Sequence, residues 1–170
     1  HRNAIYYVED IIRKEEPFSE WQIRNIHQLI LKNIDDDNAG RYRQQNVLIS
    51  GATTTPPDYT LLNDKMAQLV DWYKSEAHKL HPIERAAKVH ADFVGIHPFI
   101  DGNGRTSRLL MNLELLKAGY PPCVITVENR LAYYEALDQW MAYGKTEPFI
   151  NLVSEAVLEG FKPYQVVLGI

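Results

Sequence analysis

Apolar positions recur at helical spacing along most of the chain. Ile5, Val8, Ile11 and Ile12 share one face of 4–13, and a repeat near 3.6 residues predicts an amphipathic helix. Glu15-Glu16-Pro17 breaks it. Ser19 with Gln22 three residues on is a capping-box pattern, opening a second helix through Ile23, Ile26, Ile30 and Ile34 that stops in the polar run Asp35 to Gly40. Asp58 can cap a long helix carrying Leu62, Met66, Leu69, Val70 and Tyr73. Pro82 suits a first helical position, followed by Ile83, Ala86, Ala87, His90 and Phe93. A leucine-rich helix over 105–118 (Leu109, Leu110, Leu113, Leu116) ends at Gly119, a residue suited to a helix C-terminus. Pro121-Pro122 turns the chain, and further helices are predicted at about 129–143 and 147–160.

One stretch departs from this period. Between 41 and 57, Val47-Leu48-Ile49 is a short β-prone run, followed by Ser50-Gly51 and by Thr53-Thr54-Thr55-Pro56-Pro57. That order predicts one small hairpin or flap, not a sheet. With no internal repeat and no linker, the expected fold is all-α: an orthogonal helical bundle with one β-hairpin flap, a single domain over 1–170.

Composition narrows the function. The 170 residues are 45% apolar and 24% charged, enough for one substantial core. A net charge of −4 speaks against nucleic acid as the main partner, because binding phosphate backbones needs concentrated positive charge. No apolar run approaches the ~18 residues of a membrane span, so no membrane partner is expected. The lone Cys123 offers neither a disulfide nor a cysteine zinc site, and His78-x-x-His81 lacks the acidic or thiol partners of a metal site. Chain start at His1 instead of Met is read as truncation or processing, with any targeting or regulatory segment upstream out of view.

The chemistry concentrates in His97-Pro98-Phe99-Ile100-Asp101-Gly102-Asn103-Gly104-Arg105-Thr106-Ser107-Arg108. Gly102 and Gly104 allow close backbone approach to an anion. They precede a helix whose first N–H groups are unpaired and partly positive, an anion site for which phosphate is the usual guest. Arg105 and Arg108, three apart, share a face and can fork onto phosphate oxygens. Asp101 beside bound phosphates suits Mg²⁺, and His97 can accept a proton near neutral pH. A nucleotide polyphosphate with Mg²⁺, plus a general base for an incoming nucleophile, fits all four features.

The twelve residues match H-P-F-x-[D/E]-G-N-G-R-x-x-R at every specified position, and the chain thereby resembles the Fic domain family of the Fic/DOC superfamily. Flanking residues agree: Ala91 to Ile96 before the motif, Leu109-Leu110-Met111-Asn112 through Gly119-Tyr120-Pro121-Pro122 after it, and Gly40-Arg41-Tyr42-Arg43 ahead of the β-prone run. The resemblance implies a protein adenylyltransferase that moves AMP from Mg-ATP to a Ser, Thr or Tyr hydroxyl of a target protein or of itself. His97 is then the base and Asp101 the Mg²⁺ ligand. The Gly102-Asn103-Gly104 backbone and the Asn103 side chain cradle phosphates that Arg105 and Arg108 neutralise. Tyr133 or Tyr134 stacks on the adenine, and Val47, Leu48, Ile49, Ser50 and Gly51 form a flap that positions the target. Phe99 anchors the loop in the core, and His90 is expected to be a hydrogen-bonded core histidine.

The family's inhibitory pattern, [S/T]-x-x-x-E-[G/N], is not matched: Glu159-Gly160 has Glu155 at the first position and Glu128-Asn129 has Val124. The resemblance is therefore to the class with an N-terminal inhibitory helix, lying upstream or replaced by a separate antitoxin. A homodimer and a cytoplasmic, bacterial setting are further expectations from the family. Transfer of another nucleotide, phosphoryl transfer and a non-catalytic binding module are the alternatives. Gly104 stands where a phosphate-transferring branch carries Lys, which favours AMP.

Overall fold

The computed structural model describes residues 2–169. Among these residues seven helices follow one another: α1 (Arg2–Arg13), α2 (Glu20–Leu31), α3 (Leu62–Ser75), α4 (Pro82–Ile96), α5 (Asn103–Lys117), α6 (Arg130–Tyr143) and α7 (Glu147–Leu168). Short 3₁₀ turns at Tyr59–Leu61 and Ala77–Lys79 lead into α3 and out of it.

The local reasons are those the sequence carries. Ser19 Oγ accepts the Gln22 N–H at the start of α2, but the Gln22 side chain turns to Glu16, so only half of the capping box forms. Asp58 caps the 3₁₀ turn before α3. α4 starts with Pro82 behind a full capping box between His81 and Glu84. Two helix ends differ from expectation. α2 stops at Leu31 because Asn33 takes a left-handed conformation (φ 63°), leaving Ile34 exposed. α7 runs on to Leu168 through Pro163. Gly160, within it, lets the helix approach Pro121, where a Cβ would sit 3.1 Å from the proline ring.

α4 and α5 form the central hairpin, packed against each other more extensively than any other pair. α1, α2 and α3 close one side over Val8, Ile11, Ile23, Ile26, Met66 and Phe93. α6 and α7 close the other over Ala87, Met111, Leu115, Leu137 and Phe149. Serving two cores makes α5 apolar on two faces: Leu110 and Leu113 enter the first cluster, Met111 and Leu115 the second. The loop joining α4 to α5 therefore emerges from the best-packed part of the molecule, and this loop, 97–102, is the first half of the motif, the rest of which opens α5.

The β-hairpin is corrected. No strand forms among the described residues. The chain from 41 to 58 is an extended loop with one turn, closed by the Ala52 N–H to the Ile49 carbonyl. Its returning limb cannot complete a ladder, because Pro56 and Pro57 have no N–H. Thr53 instead donates its N–H and Oγ1–H to Asp138 of α6, at 2.7 and 2.6 Å.

Remote from the motif, the fully buried Glu114 accepts hydrogen bonds from the Tyr73 hydroxyl and, at 2.8 Å, from Arg85 Nε. This ties α3, α4 and α5 together. Removing one partner of a buried pair strands the other. Glu114→Ala should cost about 3 kcal/mol in urea unfolding, at the lower end of that effect because Arg85 keeps some solvent contact.

Candidate active site

α4 ends in an abrupt reversal. His97, its C-cap, takes the left-handed conformation (φ 51°, ψ 56°), uncommon for a residue with a Cβ and held only where the surroundings insist. Its Nδ1 lies 3.2 Å from the Val94 carbonyl. A carbonyl can only accept, so Nδ1 carries the proton and Nε2 the lone pair. Burial lowers the His97 pKa; the Val94 bond opposes this, the Arg43 charge adds to it and Asp101 opposes it. The half-buried imidazole is thus held neutral, with Nε2 as its basic nitrogen.

The loop after His97 is shaped by two side chains on its inner side. Phe99 is fully buried, as expected. Asn103 grips it: the Phe99 N–H donates to Asn103 Oδ1 at 3.0 Å, and Asn103 Nδ2 donates to the Phe99 carbonyl at 2.8 Å. This corrects the expectation that the Asn103 side chain cradles phosphate, because the amide is buried, 2% exposed, and turned onto the loop backbone. Only its main chain remains for a ligand. The second shaping side chain is His27 of α2, which the sequence reading did not single out. Its ring stacks on Phe99 at 3.5 Å and 3°. Its Nδ1 accepts the Gly40 N–H at 2.9 Å, which leaves Nε2–H to donate to the Asp101 carbonyl at 2.8 Å. Burial lowers its pKa as well.

This inner packing turns the outer side of the loop into a nest. Gly102 adopts φ 81° as the N-cap of α5. A Cβ there would lie 3.0 Å from His27 Nε2, so glycine is required by both conformation and space. The first N–H groups of α5, from Asn103 to Arg105, have no intrahelical acceptor. Gly104 has ordinary helical geometry. Its missing side chain leaves room for Arg108, whose Nη1 would sit 3.4 Å from a Cβ.

Charges surround the nest. Asp101 Oδ1 accepts the Gly102 N–H at 2.6 Å and Oδ2 pairs with Arg105 at 2.7 Å. Partial burial works against its charge, but the Gly102 N–H and Arg105 outweigh it, so the carboxyl sits below its ordinary pKa. The Asp101 side chain is 63% exposed, accessible to a ligand. Arg108 reaches the Tyr133 hydroxyl.

The two tyrosines part company. Tyr133 is 4% exposed, and its hydroxyl lies 2.9 Å from Nε2 of the buried His90. Its ring is part of the core, which corrects its assignment as a stacking surface for a base. Tyr134 is about half exposed, beside Arg130. His90 is the core histidine expected; burial drives its pKa down to about 3.

A cavity of about 670 Å³ lies beneath the returning limb of the 41–58 loop, lined by Thr55, Lys65, Trp72, Asp92, Ile96 and Met141 among others. It contains no motif residue beyond the approach to His97. Among the described residues, no helix is long and apolar enough to cross a membrane, and no three His, Cys, Asp or Glu side chains gather into a metal cage.

Fold and site define a helical domain in which a half-buried histidine and a glycine-bearing loop lead into the unpaired N-terminus of a central helix. Residues 17–115 match the Fic/DOC family model. The chain is 42% identical over 153 residues to the protein adenylyltransferase Fic of Nematostella vectensis, covering 89% of this chain and 35% of that protein. A solved structure of Fic-1 from C. elegans superposes with a TM-score of 0.84 at 31% identity, over 98% of this chain and 50% of that one. A Fic-domain signalling protein from Bacteroides thetaiotaomicron gives a TM-score of 0.81 at 31% identity, over 92% of this chain and 66% of that one. The chain belongs to the Fic/DOC family. It spans about a third of the length of the Nematostella relative.

Proposed function

We propose that the chain is a protein adenylyltransferase domain, transferring AMP from ATP to a hydroxyl of a target protein. The observation that carries this is one geometry: a neutral histidine with its basic nitrogen free, fixed at the rim of a helix N-terminus flanked by two arginines and a carboxylate. The adenylyltransferase activity named for the Nematostella and Caenorhabditis elegans relatives supports the same reading.

In this mechanism the α5 amides and Arg105 and Arg108 bind the ATP phosphates. His97 Nε2 takes the proton of the target hydroxyl as its oxygen bonds to the α-phosphorus. The bond from the α-phosphorus to the bridging oxygen breaks, and pyrophosphate leaves with the electron pair. The residues fit Mg²⁺: Asp101 is a hard, ionised and accessible oxygen donor, and a single carboxylate suits an ion that completes its shell with water and phosphate oxygens. Mg²⁺, when bound, neutralises phosphate charge. Arg105, paired with Asp101 in the free chain, can pass to the phosphates when nucleotide arrives. Tyr134, with its ring exposed, is the stacking candidate for adenine. The target lies along Val47 to Gly51, where the N–H and C=O of Val47 and Leu48 bond no other backbone group among the described residues. Main-chain pairing there would align a hydroxyl with His97.

The test is the small product released when ATP and a hydroxyl-bearing acceptor protein are supplied. Pyrophosphate, stoichiometric with acceptor modified, is expected. ADP in its place would mean phosphoryl transfer and overturn the reading. The pH dependence is also fixed in sign. His97 must be neutral to act, and its pKa is lowered. The acid limb of kcat/KM should therefore fall below the ordinary histidine value of ~6.5. A limb above that value would contradict the assignment.

A further inference from the structure

We propose that Arg43, through its side chain and its own N–H, is the positioning residue that holds His97 and both limbs of the target-binding loop in one fixed arrangement. The proposal rests on the adenylyl-transfer reading for its consequence, but its geometry stands alone.

Four hydrogen bonds converge on this one residue. The Arg43 N–H donates to the Pro98 carbonyl at 2.9 Å. Nε donates to the His97 carbonyl at 2.9 Å, Nη1 to the Gln45 carbonyl at 2.9 Å and Nη2 to the Pro57 carbonyl at 2.6 Å. The acceptors belong to three segments: the strained turn at the end of α4, the outgoing limb of the loop and its returning limb. The last is also tied at Thr53, by Asp138, and at Asp58 and Tyr59, by Asn46.

The choice of residue is informative. Arg43 is 3% exposed, and no carboxylate pairs with it. Asp58 is the acidic group near enough to favour its charge, and that carboxylate is bonded to Thr60 and Asn46. Burying a guanidinium on carbonyls alone is costly, and an apolar side chain of similar volume would fill the space at lower cost. What an apolar side chain cannot do is bond three carbonyls in different directions. Lysine has three N–H groups but carries them on one nitrogen, so it cannot reach carbonyls that here bond three separate nitrogens of a planar fork. The guanidinium thus links the left-handed His97 to the strip of backbone on which a target lies. The phosphate nest is held separately, by His27 and Asn103.

That separation gives the proposal its test. Arg43→Lys and Arg43→Met should bind Mg-ATP within ~2-fold of wild type, while kcat falls ~10²-fold, as displacement of a reacting group by about 1 Å can cause. KM for the acceptor protein should rise. Hydrogen exchange should accelerate at the amides of 44–55 and stay unchanged in 103–117. If Arg43→Met fails to fold, Arg43→Lys, with stem and charge retained, decides. Unchanged kcat and loop exchange in Arg43→Lys would overturn the proposal. So would a loss of Mg-ATP affinity parallel to the loss of rate, which marks general damage. Should wild type transfer no AMP, the functional reading fails by itself; the exchange pattern still decides whether Arg43 straps the loop.

Discussion

His97→Ala should bind Mg-ATP as wild type does and transfer AMP about 10²–10⁴-fold more slowly, the usual contribution of a general base. The substitution is clean on structural grounds. Both residues carry a Cβ, so the left-handed backbone at this position (φ 51°), which histidine adopts more readily, costs alanine only little more. The fold loses one bond, from Nδ1 to the Val94 carbonyl, worth about 0.5–1.5 kcal/mol. Phosphate binding relies on the α5 amides and on Arg105 and Arg108, none of which touches the imidazole through a hydrogen bond. Single-turnover transfer and nucleotide titration, measured side by side, check this. Transfer within ~3-fold of wild type would assign the proton to another group.

Gly102→Ala should do the opposite and weaken nucleotide binding before chemistry. An L-residue at φ 81° is disfavoured by ~1–2 kcal/mol. The new methyl would also press on His27 Nε2 at 3.0 Å and Leu31 at 3.4 Å. His27 would be forced off the Asp101 carbonyl, and the nest would lose the alignment of its N–H groups. Hydrogen bonds to charged groups are worth about 1.5–3 kcal/mol each, so losing one or two weakens Mg-ATP ~10- to 10⁴-fold. Calorimetry of nucleotide binding checks this. Undiminished affinity would mean that the α5 N-terminus is not the phosphate site. Gly104→Ala makes a useful contrast: its backbone is ordinary, so any effect should come through displaced Arg108.

What could be read in the sequence, and what could not, follows from the range of the interactions. Helix existence, the caps at Ser19, Asp58 and Pro82, and the motif loop depend on residues within a few positions of each other, and the chain displays them directly. The structure bears out the all-helical fold and the buried roles of Phe99 and His90. The hairpin failed because β pattern at Val47 to Ile49 says nothing of the partner limb, and Pro56 and Pro57 deny it a ladder. Asn103 looked like a phosphate ligand because motif spacing cannot show which way an amide points. Tyr133 and Tyr134 are adjacent in sequence and opposite in environment, set by the packing of α6 on His90 and Phe149.

His27 left a faint signal. A histidine in the Ile23, Ile26, Ile30 stripe of α2 is a polar group placed where the core must satisfy it. Its partners, Gly40 and Asp101, lie 13 and 74 residues away, so nothing local named them. Arg43 was visible only as part of the Gly40-Arg41-Tyr42-Arg43 run. Its acceptors are backbone carbonyls, which carry no sequence mark.

The central claim is tested most directly by supplying the chain and an acceptor protein with ATP labelled on the α-phosphate and, in parallel, on the γ-phosphate. Adenylyl transfer predicts α-label fixed covalently on protein, lost in His97→Ala, with γ-label appearing only in free pyrophosphate. Protein carrying γ-label, or no label from either nucleotide in the wild type, would contradict it.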